Sequence, residues 1–67
     1  MEVESRIGSS LAALRRGAGL SRTELARLAG TPVSTVRGIE LGAIEPPSVL
    51  VGRLTAAIAS RLRDGPG

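Results

Sequence analysis

Arginine is the chemically distinctive residue of this 67-residue chain: nine Arg face six carboxylates, giving a net charge of +3, with no Lys, His or Cys. Without imidazole or thiol there is no ready general base, no thiolate nucleophile, no zinc-finger ligand set and no disulfide. The carboxylates are few and too separated in sequence to mark a metal cage. An enzyme is not expected, and neither a cofactor, a metal nor a small-molecule ligand is. What remains is ionic recognition. A mildly basic balance fits a nucleic-acid partner, and it fits a solvated Arg-bearing surface about as well.

Such side chains act only if a core holds them still. A chain this short buries roughly 60% of its unfolded surface and holds at most one domain, expected over residues 1–64 with a frayed tail at 65–67. Of the 28 apolar residues nine are Ala and none is aromatic, so 18 Val, Ile and Leu must do most of the packing. At about 1.5–3 kcal/mol per fully buried aliphatic side chain, nearly all of them need a neighbour. No apolar run approaches the ~20 residues that span a bilayer, and Glu2, Val3 and Glu4 do not read as a leader. A cytoplasmic protein is expected. The absence of Lys, Asn, Gln, Phe and Tyr beside abundant Ala, Gly, Arg and Pro is the bias of a GC-rich coding sequence.

Four helical segments are punctuated by Gly or Pro, with no alternating strand pattern, so the expected class is all-α. Val3, Ile7, Leu11 and Leu14 share a face of a helix from about Ser5 to Arg16, which Gly17 and Gly19 end. Ser21-Arg22-Thr23-Glu24 is a capping box: the Ser21 hydroxyl accepts from the Glu24 amide while the Glu24 carboxylate accepts from the Ser21 amide. Leu20 staples onto Leu25, and Gly30 supplies a left-handed stop. The next helix restarts with Thr31 as N-cap and Pro32 at its first position, turns Val36 and Ile39 inward, and ends at Gly42. Two short helices joined by Gly30 and Thr31 form a helix-turn-helix over about residues 21–41. A fourth helix begins around Pro46 to Ser48 and carries Val51, Leu54, Ala57, Ile58 and Leu62 at helical spacing.

The stretch LAALRRGAGLSRTELARLAGTPVSTVRGIELG, followed by PPSVLVGRLTAAI, resembles the phage repressor and Cro-like helix-turn-helix family, the XRE type. The likeness runs from about Ile7 to Ile58. It rests on an Arg ending helix 1, the capping box, the turn Gly, and Ile-Glu-x-Gly closing the next helix. It implies a compact four- to five-helix lambda-repressor-like domain with a central helix-turn-helix. It further implies that Arg15 pairs with Glu40 as a structural ion pair. The third helix is then the element that enters the major groove, with Val33, Ser34, Arg37 and Gly38 at base-contacting positions. The second helix sets its N-terminus on a phosphate. Phosphate contacts fall to Arg22 and Thr35, with Arg6, Arg16 and Arg27 as further sources of backbone grip.

The chain departs from the type that reads adenine with Gln or Asn, since it has neither residue. Arg37 to guanine O6 and N7, Val33 to a thymine methyl, and Ser34 to a base or a phosphate are the pairings left. Gly38 either lets the helix backbone approach DNA or stands where relatives carry a long side chain. The loop after helix 3 holds Ala43, Ile44 and Glu45 where basic residues are usual. Aliphatic residues also exceed what a core needs: Leu28, and around one loop Leu41, Ile44, Val49 and Leu50. With Ile58 and Leu62, the last four are read as a dimer surface. The expected partner is double-stranded DNA bearing an inverted repeat, bound by a homodimer, as in a phage-type repressor. A second reading is an antitoxin that covers a toxin with this apolar surface, and a third is an adaptor without DNA binding. Whether the chain is a minimal Cro-like protein or the first part of a longer repressor stays open.

Overall fold

The computed structural model describes the backbone of residues 3–65 and side chains from residue 7 onward. Pro66 and Gly67 of the expected tail lie outside the described residues, as do the side chains of Val3 and Arg6. The described residues form four α-helices and no strand: α1 (Val3–Gly17), α2 (Arg22–Ala29), α3 (Val33–Glu40) and α4 (Ser48–Asp64). None is long and apolar enough to cross a membrane. The all-α class holds, with the helix-turn-helix at its centre.

Local chemistry explains most boundaries. At the start of α2 the Glu24 amide donates to Ser21 Oγ at 3.0 Å, and the Ser21 amide donates to Glu24 Oε1 at 2.9 Å. At its end Gly30 adopts φ +70°, a region open to Gly without the Cβ penalty, and the Thr31 amide donates back to the Ala26 carbonyl at 3.0 Å. The start of α3 differs from expectation by one residue. Pro32, extended at φ −64° and ψ 147°, is the N-cap, and Val33 is the first helical residue. Pro32 has no side-chain acceptor, so α3 opens without a side-chain cap. α3 closes at Glu40 with Leu41 as its C-cap, and Gly42, at φ +79°, supplies the left-handed turn that ends it.

Leu25, Val36, Ile39 and Leu54 are fully buried, one or two from each of α2, α3 and α4, and Leu11, Leu20 and Ile58 pack around them. Ile58 corrects the expected dimer surface. At 3% exposure it belongs to the core and has no area to offer a partner. Leu50 is also partly committed to this core.

α1 is rolled relative to its apolar stripe. Its inward face is Gly8, Leu11, Ala12 and Arg15, whereas Ile7 and Leu14 stay 43% and 49% exposed. The reason is backbone contact: a Cβ on Gly8 would lie 2.5 Å from the Ile39 carbonyl oxygen and 2.7 Å from that of Glu40. Only a residue without a side chain lets α1 cross the end of α3 this closely. The roll leaves Ile7, Leu14 and Val51 around an apolar hollow floored by Leu11, Ile39 and Leu54.

Two glycines inside helices should therefore respond oppositely to alanine. Gly8→Ala forces α1 off α3 and should cost about 1–3 kcal/mol, as overpacking does. Gly52, in α4, has nothing within 4 Å of a built Cβ, so Gly52→Ala should gain roughly 0.5–1 kcal/mol from helix propensity. Thermal unfolding followed by circular dichroism reads both. Equal shifts of one sign would contradict the close crossing.

Candidate nucleic-acid interface

One carboxylate organises the region where α1, α2 and α3 meet. Glu40, the last residue of α3, has a side chain only 2% exposed. Its Oε2 accepts from Arg15 Nε at 2.7 Å, and its Oε1 accepts from Arg15 Nη2 at 3.1 Å. Arg15 Nη1 donates to the Leu20 carbonyl at 3.0 Å, so all three guanidinium nitrogens are used. A third group completes the cluster: Arg22 Nε donates to Glu40 Oε1 at 2.9 Å. Burial pushes the Glu40 carboxyl up, but the hydrogen bonds from Arg15 and then Arg22, with their charges, outweigh it and hold the group below the usual carboxylate range.

Arg22, expected as a phosphate ligand, is thus also a structural partner of Glu40. Its Nε is fixed, while its two terminal nitrogens make no hydrogen bond to any described residue. Two positive charges share one negative charge, and the surplus sits on Arg22, the more exposed of the two arginines.

Arg22 lies on the rim of a shallow depression that also gathers Thr23, Val33, Ser34, Arg37 and Gly38, with Leu41 at its end. Four positions expected at base edges are therefore brought together with one expected at a phosphate. Val33, Ser34 and Arg37 are exposed, on the side of α3 away from the buried Val36 and Ile39. Thr35 is half-buried and does not line the depression. Arg16 is exposed in the last turn of α1. Arg27 sits elsewhere, in a cleft between α2 and α4. Thr23, at the second position of α2, was not singled out from the sequence.

Gly38 acquires a reason that spacing could not supply. A Cβ there would lie 2.8 Å from Ile44 Cγ1 and closer still to Ile44 Cδ1. The loop after α3 folds back, with the Ala43 and Ile44 amides donating to the Gly38 carbonyl at 2.8 and 3.1 Å, and it lays the Ile44 side chain over Gly38. Ile44, expected on a dimer surface, thus spends part of its area within its own subunit. Leu41, Val49 and Leu62 remain exposed.

Two measurements test this region. Because the folded-state pKa of Glu40 is lowered, its ionic contribution is present above the ordinary value of about 4.3 and disappears as pH falls through the folded value. Melting temperature should drop on acidification below about pH 4. Glu40→Ala strands a buried guanidinium and should cost about 3–5 kcal/mol, comparable to the whole stability of a domain this size. Arg15→Met combined with Glu40→Leu should lose far less and show a shallower acid transition. Separately, Gly38→Ala should destabilise the wild type yet stabilise an Ile44→Ala background by about 1 kcal/mol, once the obstruction is gone and only helix propensity counts.

Residues 6–63 match the family described as helix-turn-helix domain. Among curated proteins and among solved structures, none matches the chain. The matched span holds all of α2, the Gly30 turn and α3, with the Arg15–Glu40 brace that joins them to α1. With most of its length covered, the chain belongs to the helix-turn-helix domain family, a class of DNA-binding regulators.

Proposed function

We propose that this protein is a sequence-specific transcription regulator, most simply a repressor of the phage type that occupies operator DNA and blocks polymerase sterically. The observation that carries this reading is the single depression where exposed Ser34 and Arg37 stand beside half-buried Arg22, over a helix whose other side is locked in the core. With α3 in the major groove, Arg37 donates two hydrogen bonds to guanine O6 and N7, Val33 packs on a thymine methyl, and Ser34 bonds a base or a phosphate. Arg22 grips a phosphate through its terminal nitrogens while Glu40 holds its Nε. This preset geometry supports the phosphate role, because less side-chain freedom is lost on binding.

The N-terminus of α3 adds to the reading. Its first amides have no side-chain cap and carry the positive end of the helix dipole, so they suit a nearby phosphate. At α2 the Glu24 carboxylate lies against the capping residue, which lowers the attraction of that end for an anion and leaves Arg22 as its cationic contact. Leu41, Val49 and Leu62, apolar and exposed, support a homodimer. A twofold arrangement would set two copies of α3 about 34–36 Å apart, on an inverted-repeat operator.

Gel shifts with DNA flanking the protein's own gene separate these roles. Arg37→Ala should erase discrimination at one base pair, worth about 1–3 kcal/mol. Arg22→Ala should weaken all sites alike and reduce the slope of log K against log salt by about 1. If both variants bind as wild type does, the assignment of this face to DNA is wrong.

A further inference from the structure

A second charged hollow lies apart from the depression beside α3 and shares no residue with it. It is an open cleft of about 700 Å³ between the C-terminal half of α2 and α4. Arg27, Arg53 and Arg61 line it, over a floor that includes Leu28 and Ala57. Among the described residues none of these three guanidinium groups forms an ion pair. The one carboxylate lining the cleft, Asp64, accepts from Ser60 Oγ at 3.2 Å and lies 3.7 Å from Arg63 Nε, within its own helix. Glu24 feels the charges of Arg61 and Arg27, but its carboxylate is occupied by the Ser21 amide.

We propose that this cleft is a docking surface for an acidic amphipathic helix of a partner protein, independent of the DNA-binding role. Charge names the class of occupant: three cations without ion-pair partners on one cleft complement an anionic ligand. Length narrows it. Arg53 and Arg61, eight residues apart on α4 and so about 12 Å apart along its axis at 1.5 Å per residue, line a cleft of about 700 Å³, far more room than one phosphate or one small carboxylate fills. They match acidic residues two turns apart on a second helix. The floor decides between protein and nucleic acid. Leu28 is 55% exposed, and an aliphatic side chain can bury against it, whereas a phosphodiester backbone offers nothing apolar. A concave cleft between two helices also fits a helix better than the convex edge of a duplex.

The test uses a fluorescein-labelled alanine-based peptide of about 16 residues, long enough to hold a helix, with Glu residues two turns apart flanking two Leu. Anisotropy titration should give saturable binding to the wild-type protein. Arg53→Ala combined with Arg61→Ala should weaken it about tenfold or more, and Arg53→Lys combined with Arg61→Lys should restore most of it, with helical content unchanged in both. A version of the peptide with Lys for Glu should not bind. Affinity of the alanine double variant for operator duplex should stay at the wild-type level. Three results overturn the proposal. The first is no binding of the acidic peptide to wild type. The second is peptide binding that Arg37→Ala abolishes and the cleft variant leaves intact. In the third, the cleft variant loses duplex affinity as much as peptide affinity, which would make the cleft a nucleic-acid backbone site.

Discussion

The arrangement of this domain depends on a single buried carboxylate. Glu40 ends α3, and through it Arg15 of α1 and Arg22 of α2 are tied to the same point, while Arg15 also holds the Leu20 carbonyl at the entry to α2. Buried charges are costly unless every donor and acceptor is matched, and here all three nitrogens of Arg15 are. The cluster therefore ties α1, α2 and α3 to one point through directed hydrogen bonds. Helices of eight residues are not stable alone, so α2 and α3 exist only because such constraints and the Leu25–Val36–Ile39–Leu54 core hold them.

The same cluster connects packing to recognition. Glu40 both anchors α3 from behind and orients Arg22 at the front, so the brace of the fold and the charge on the candidate interface are one network. Gly38 and Ile44 make a second link of this kind. The loop after α3 folds back so that the Ile44 side chain occupies the space a Cβ of residue 38 would take, and that side chain covers one end of the outward face of α3 with an aliphatic group. Gly8 plays the matching role on the inner side, where α1 meets the backbone of α3. Both helical glycines cost helix propensity, and each stands where a methyl group would meet a neighbour, backbone at Gly8 and the Ile44 side chain at Gly38.

Local signals were sufficient for much of this. The capping box at Ser21, the left-handed Gly30, the inward pair Val36 and Ile39, and four helices in order are all legible in the chain, because each arises from neighbours within about five residues. Apolar spacing was less reliable where the inward face contains residues that do not look apolar. On α1 the buried set includes Gly8 and Arg15, and a stripe drawn through Ile7, Leu11 and Leu14 meets it only at Leu11. Gly8, Leu11 and Arg15 do recur at spacings of three and four, a signal open to a reader who counts a glycine as a contact residue. Ile58 fails for the opposite reason: nothing in a lone sequence separates an aliphatic residue facing the core from one facing a partner.

The identity of the helices, their ends, and a chemistry limited to arginine and a few hydroxyls can be read from the chain alone, because helix periods, caps and composition are local or additive properties. Which side chains meet becomes visible in the fold alone. Arg22 reaches Glu40 across 18 positions, Ile44 lies over Gly38, Arg27 parts company with Arg22 to stand with Arg53 and Arg61, and α1 rolls toward its glycine. Those outcomes depend on how closely two backbones can approach and on where a buried charge finds its partners, and both are set by the packing of the whole chain at once.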